Sequence, residues 1–237
     1  MKYPPSANSA RISEVFSSLQ GEGLHAGERH IFIRFEECNI ECVYCDEIHK
    51  KGEEISLADL MDKIMRLEKE KGPHAFVSLT GGEPLLYQVF LKPLLIQLKE
   101  RGLRTYLETS GILWRALDEV IDWCDCIAMD MKTPSVTKEK NFDEEHRYFL
   151  ARAKKKECFI KIVVSKDLIL GEFITQMHIA ADIAPEIPVV LMPLSADIEG
   201  HEDPELMEIM YSLQQIASKM VSNVKIIPRL HRILNIQ

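Results

Sequence analysis

Short apolar or β-branched runs alternate along the chain with longer stretches in which apolar residues recur every three to four positions. Residues 30–35, 75–79, 104–108, 126–131, 159–164, 188–192 and 224–227 read as strands. Between them, residues 57–71 place Leu57, Leu60, Met61, Ile64 and Leu67 on one helical face with charges elsewhere. Residues 87–101 form a second helix that stops at Gly102, with Pro93 predicting a kink or a split. Residues 205–220 form a third, entered through Asp203-Pro204. The opening dozen residues, rich in Pro and Ser, read as irregular, and residues 133–145 as an active-site loop or insertion.

Repeated strand–helix alternation means a parallel sheet, because parallel neighbours need a crossover between them. Most of the runs are too continuously apolar to leave one face wet, so both faces are covered. Fewer than eight units points to an incomplete barrel, although an open doubly wound sheet gives the same string. No repeat or linker marks a second domain. Residues 1–237 read as one unit: 1–29 an N-terminal segment, 30–200 a core, 201–237 a helix and tail.

Composition narrows the class. The 237 residues include 29 Lys and Arg against 37 Asp and Glu, a formal charge of −8. A chain this acidic is not expected to grip nucleic acid, which needs a basic surface for counterion release. No apolar run reaches the ~18 residues that span a bilayer. The first residues lack a signal-peptide core, so the expected compartment is the cytoplasm.

Six cysteines stand at 38, 42, 45, 124, 126 and 158, and clustered thiols in a reducing compartment point to metal or redox chemistry. Cys38-Asn-Ile-Glu-Cys42-Val-Tyr-Cys45 directly follows the first of those strands, at the end where parallel α/β folds collect chemistry. Three thiolates on one short loop suit an iron–sulfur cluster. Zinc is the other reading of the loop, with His49 available as a fourth ligand. Ser78-Leu79-Thr80-Gly81-Gly82-Glu83-Pro84 ends the next strand, and its two glycines let backbone come close to a ligand or simply make a tight turn.

Cys-x3-Cys-x2-Cys followed one strand later by Gly-Gly-Glu-Pro resembles radical S-adenosylmethionine enzymes. The resemblance implies a 4Fe–4S cluster on Cys38, Cys42 and Cys45 with one iron open to S-adenosylmethionine. It also implies an incomplete TIM-like (β/α)6 barrel of mostly parallel strands. Tyr44, before the last cysteine, matches a residue that lies against the adenine, and Gly81, Gly82 and Glu83 match the motif for the amino group. Glu108-Thr109-Ser110 and Asp130-Met131-Lys132 close the next strands and resemble further contacts to the cofactor.

The N-terminal Phe16-Ser-Ser-Leu19-Gln20-Gly21-Glu22-Gly23 is similar to a segment of 7-carboxy-7-deazaguanine synthases, lyases that turn 6-carboxy-5,6,7,8-tetrahydropterin into a deazapurine with loss of ammonia. That resemblance implies substrate contacts from Leu19, Gln20, Gly21, Glu22, Arg34, Thr80 and His231, with Asn39 and Asp46 matching positions beside the cluster. It further implies an electron donor such as flavodoxin and a homodimer. The family's Mg²⁺-ligating Thr is Glu47 here, a longer and charged donor to hard cations. Glu37 replaces a Gly before the first cysteine, and Arg229 replaces a Gln in the tail.

Rival readings are an activase that draws hydrogen from a protein glycine and a zinc-stabilised binding module. Cys124 and Cys126 read as buried small apolar residues, and the eight histidines show no ligand spacing.

Overall fold

Residues 6–45, 47, 50–194 and 203–234 are described in the computed structural model, without the side chains of 231 and 232. Strand β1 (Ser9–Leu19) leads through a 3-10 turn to β2 (Arg29–Phe35), then β3 (Glu53–Ser56) and helix α1 (Leu57–Lys71). There follow β4 (Phe76–Gly81), α2 (Gln88–Glu100), β5 (Thr105–Thr109), α3 (Trp114–Asp118) and β6 (Cys126–Asp130). The chain continues through α4 (Pro134–Thr137), α5 (Asp143–Ala153), β7 (Glu157–Val164), α6 (Leu170–Ile183) and β8 (Val189–Pro193). It closes with α7 (Pro204–Ala217), β9 (Val224–Ile226) and α8 (Leu230–Ile233).

One sheet carries all nine strands in the order β3-β1-β2-β4-β5-β6-β7-β8-β9. From β2 to β9 every pairing is parallel, whereas β1 runs antiparallel to β2 and β3. Among the described residues the first and last strands do not pair, so the barrel stays open, as an incomplete one should.

Alternation along each strand divides the side chains between two faces. Ile31, Ile33, Val77, Leu79, Leu107, Ile127, Ile160 and Ile162 pack outward against the helices in one large core. Phe76, Tyr106, Cys126, Ala128, Phe159 and Val190 face inward and form a separate cluster. Continuous apolar runs are what two covered faces require.

All seven expected strands are present within a residue or two. Helix α1 starts where Ser56 accepts a hydrogen bond from Asp59 N, a cap that stabilises by about 1 kcal/mol. Pro93 lies inside α2 without ending it. The carbonyl it leaves unbonded belongs to Val89, which is exposed to water. The penalty of about 3 kcal/mol is offset by burial of Phe90, Leu91, Leu94, Leu95 and Leu98.

Two expectations are corrected. The opening dozen residues are not irregular throughout, since Ser9–Ile12 already belong to β1, which runs on to Leu19. A register shift between Ile12 and Glu14 breaks its alternation: Ala10, Ile12 and Val15 all meet the outer core, a spacing that does not read as a strand. The stretch 133–145 is only partly a loop, holding α4 and the start of α5. No helix among the described residues is long and apolar enough to cross a membrane.

Candidate active site

A cavity opens at the C-terminal ends of the parallel strands, and the cysteine loop forms one of its walls. Cys38, Cys42 and Cys45 are free thiols that all line it. Val43 N donates to Thr137 O (3.1 Å), and Cys45 N to Cys42 O (3.0 Å), which fixes the loop against α4. Burial pushes the Cys38 thiol up to about 12 and raises that of Cys42 as well. Buried thiols that resist ionisation become good ligands once a cationic cluster supplies the compensating charge.

The strand-end glycines sit directly beneath this loop. Gly82 N donates to Phe35 O (2.8 Å) and Glu83 N to Glu37 O (2.7 Å). A Cβ on Gly82 would collide with the Glu37 carbonyl, and Gly81 holds φ at +101°, where side chains are strained. Three sulfur donors over a backbone shelf that admits no side chain fit a 4Fe–4S cluster with an amino-acid-bearing ligand at its open corner. Glu37 itself keeps an ordinary φ; among described residues other than glycine, Lys138 alone has positive φ, so replacing the family's Gly leaves the loop unstrained.

Two residues expected at the cofactor lie elsewhere. Glu83 is fully buried behind the cavity, accepting from Thr109 Oγ1 (2.9 Å), Ser110 N (2.7 Å), Ser110 Oγ (2.7 Å) and Leu85 N (3.1 Å). It therefore bolts the end of β5 to the glycine turn rather than facing a ligand. Burial pushes this carboxyl up, against the pull of those donors. Met131 is buried in the outer core. Asp46 and His49, and the side chain of His231, fall outside the described residues. Tyr44, Gly81, Gly82, Glu108, Ser110, Asp130 and Lys132 do line the cavity.

The β1–β2 connection folds up into the barrel and brings Leu19, Gln20, Gly21 and Glu22 to the cavity. Gln20 Nε2 donates to Glu108 Oε1 (2.9 Å), and Thr80 Oγ1 donates to Glu108 Oε2 (3.0 Å). Gln20 Oε1 accepts from Glu22 N (3.1 Å). Glu108, expected beside the cofactor, is thus joined to the two residues expected at the substrate. Burial pushes its carboxyl above the usual carboxylate range, Glu22 adds to the rise, and Lys161 opposes it.

The cavity's charges balance in pairs. Lys161 Nζ lies 2.6 Å from Glu22 Oε2 and 3.3 Å from Asp130 Oδ1. Lys132 Nζ lies 2.7 Å from Asp130 Oδ2 and 5.9 Å from the Tyr44 ring centre. Burial works against the Lys161 ammonium, but Asp130, Glu22 and Glu108 together hold its pKa above the ordinary value. Arg229 reaches Glu22 from the tail (3.4 Å), and Leu230 N donates to Gly21 O (2.8 Å). Lys161 sits mid-strand between Ile160 and Ile162, where a lone cation in an apolar run is the signal that could have revealed it.

Arg34 is not a free guanidinium. Its Nε meets Glu14 Oε2 (2.8 Å) and its Nη1 meets Glu47 Oε1 (2.8 Å), while Lys50 bridges Glu14 (3.0 Å) and Glu47 (3.1 Å). Both Glu47 oxygens face cations, so a Mg²⁺ ion there has to displace one of them.

Residues 32–165 match the family model described as the radical SAM superfamily. The chain is 36% identical to a 7-carboxy-7-deazaguanine synthase of Geobacter sulfurreducens, over 95% of this chain and 97% of that protein. It is 29% identical to the 7-carboxy-7-deazaguanine synthase of Methanocaldococcus jannaschii, over 94% and 98%. Among solved structures it resembles QueE from Escherichia coli, with a TM-score of 0.63 at 19% identity, covering 94% of this chain and 95% of that one.

Proposed function

This chain belongs to the 7-carboxy-7-deazaguanine synthase family of the radical SAM superfamily, and we propose that it converts 6-carboxy-5,6,7,8-tetrahydropterin to 7-carboxy-7-deazaguanine with loss of ammonia. The observation that carries this reading is the shared cavity: the three-thiol loop and the Gln20–Glu108–Thr80 cluster line the same space. The family's cofactors are a 4Fe–4S cluster and S-adenosylmethionine, which together supply one-electron chemistry that abstracts a hydrogen atom.

The chain's own residues bind, orient and shield. Cys38, Cys42 and Cys45 hold the cluster; Gly81 and Gly82 offer bare backbone to the amino-acid end of the cofactor. Tyr44, Ser110, Asp130 and Lys132 bound its remaining sides. Leu19, Gln20, Gly21, Glu22, Arg34, Thr80 and His231 make up the set that would orient the pterin. Lys161 and Glu108 join them: a carboxylate entering this cavity shares Lys161 with Glu22, and Glu108 holds Gln20 and Thr80 in place by accepting from both. Walls that exclude water protect a reactive radical from solvent.

The reading extends to a cytoplasmic homodimer fed by an electron donor of the flavodoxin type, with residues 1–237 as one domain. Mg²⁺ at Glu47 belongs to it too, with Lys50 as the cation displaced. No observation favours the activase or the zinc-module reading.

Anaerobically reconstituted protein, given S-adenosylmethionine, reductant and the carboxypterin, should yield the deazapurine by mass analysis, and Cys42→Ala should lose cluster iron and all turnover. Cleavage of S-adenosylmethionine with the pterin left intact refutes the substrate. Repeating the assay on Lys50→Ala with and without Mg²⁺ tests the metal: a response unchanged by the substitution removes Glu47 from the scheme.

A further inference from the structure

At the opposite end of the strands, three potential metal donors converge from distant parts of the sequence. His25 ends the 3-10 turn Gly23–His25, and Cys126 and Glu157 are the paired first residues of β6 and β7. His25 Nε2 lies 3.1 Å from Glu157 Oε1 and 3.7 Å from Cys126 Sγ, and the three donor atoms all fall within 4.8 Å of one another. Around a tetrahedral zinc, bonds of about 2.0–2.1 Å to N, 2.3 Å to S and 2.0–2.2 Å to O separate the donors by about 3.3–3.6 Å.

The surroundings complete the pattern. His25 Nδ1 faces Glu28 Oε2 at 3.1 Å, the carboxylate–histidine arrangement that fixes a ligating imidazole and leaves Nε2 for the ion. His30 is fully buried, its Nε2 has no hydrogen-bond partner, and it stands 3.9 Å from the same Glu28 oxygen. Glu157 gives its other oxygen to Arg104 (3.0 Å), so Oε1 alone is turned to the site. Glu157 is half exposed, which opens a path for an ion and a place for water, while Cys126 is sealed.

We propose that His25, Cys126 and Glu157 bind a divalent zinc ion, with the fourth position held by water. The ion takes the thiol as thiolate and Nε2 as a lone pair; the thiol proton, and any proton on Nε2, go to solvent. Burial pushes the Cys126 thiol strongly up without metal, so the ion's charge is what makes it a ligand. Bound zinc would pin the segment that delivers Gln20 and Glu22 to the first residues of two core strands. The site is independent of the reaction assigned above.

The test uses the cluster-loaded full chain, exposed anaerobically to zinc chloride and then exchanged through buffer with a weak chelator. Metal analysis should give one zinc per chain at unchanged iron. Zinc-edge X-ray absorption should show a single sulfur near 2.3 Å with N/O donors near 2.0–2.1 Å. His25→Asn and Glu157→Gln should each weaken zinc retention at least ~10-fold, and Cys126→Ser should lose the sulfur shell. No retained zinc, retention indifferent to His25→Asn and Glu157→Gln, or a shell of two or more sulfurs overturns the assignment. Should Cys126→Ser or His25→Asn not fold, the half-exposed Glu157→Gln decides.

Discussion

The inward faces of β2 and β4–β7 carry opposite chemistries at their two ends. Toward the C-terminal ends stand Arg34, Thr80, Glu108, Asp130 and Lys161; toward the N-terminal ends stand His30, Phe76, Tyr106, Cys126 and Phe159. Below, rings pack edge-on or tilted at centroid distances of 4.9–5.7 Å around Phe76, and burial, with His25 and His74 adding to it, drives His30 down to about 3, so it is neutral. Above, charges persist out of water because each has a partner. The contrast teaches that strand alternation decides only whether a residue faces inward. What it does there depends on its height along the strand.

Substitutions at the two levels should separate function from stability. Lys161→Met strikes hardest: it leaves Glu22 and Asp130 short of a cation, so kcat/KM should fall at least ~100-fold, with stability lower by about 3 kcal/mol in urea unfolding. Normal kinetics in that variant would show that the upper charges do not organise the substrate. Phe76→Ala should do the reverse, costing about 3–5 kcal/mol of stability while the folded fraction keeps its kcat; an altered kcat would dissolve the division between the levels.

The gentlest probe is Glu108→Gln. Burial raises the Glu108 carboxyl in the folded state, so its contribution to stability is complete below the unfolded pKa and is lost as pH rises through the folded one. The variant should match the native chain in acid and exceed it in unfolding midpoint at pH 8. Equal midpoints at both pH values would mean the carboxylate is satisfied as an anion.

How much could be read beforehand follows the same geometry. The parallel strands were legible because both their faces are covered, and the cysteine and glycine motifs because each lies within a few contiguous residues. Strand β1 was hidden by its register shift, and β3 by its four residues, two of them exposed Glu. Glu83 sits in a cofactor motif yet spends its carboxylate on Thr109 and Ser110. Arg34 lines the cavity where it was expected, but its pairing with Glu47 was not legible, since that depends on how the loop folds back. Lys161 with Glu22, and His25 with Glu157, join positions 139 and 132 residues apart, which no spacing rule connects.

The connection between β1 and β2 fills the barrel from below: Leu24 joins the inner apolar cluster while Gln20 and Glu22 point on toward the cavity. Floor and furnishing are therefore one piece of chain. Lengthening or shortening that piece shifts the depth of the chamber and its hydrogen-bond donors together, so shape and polarity at the bottom of this vessel cannot drift apart.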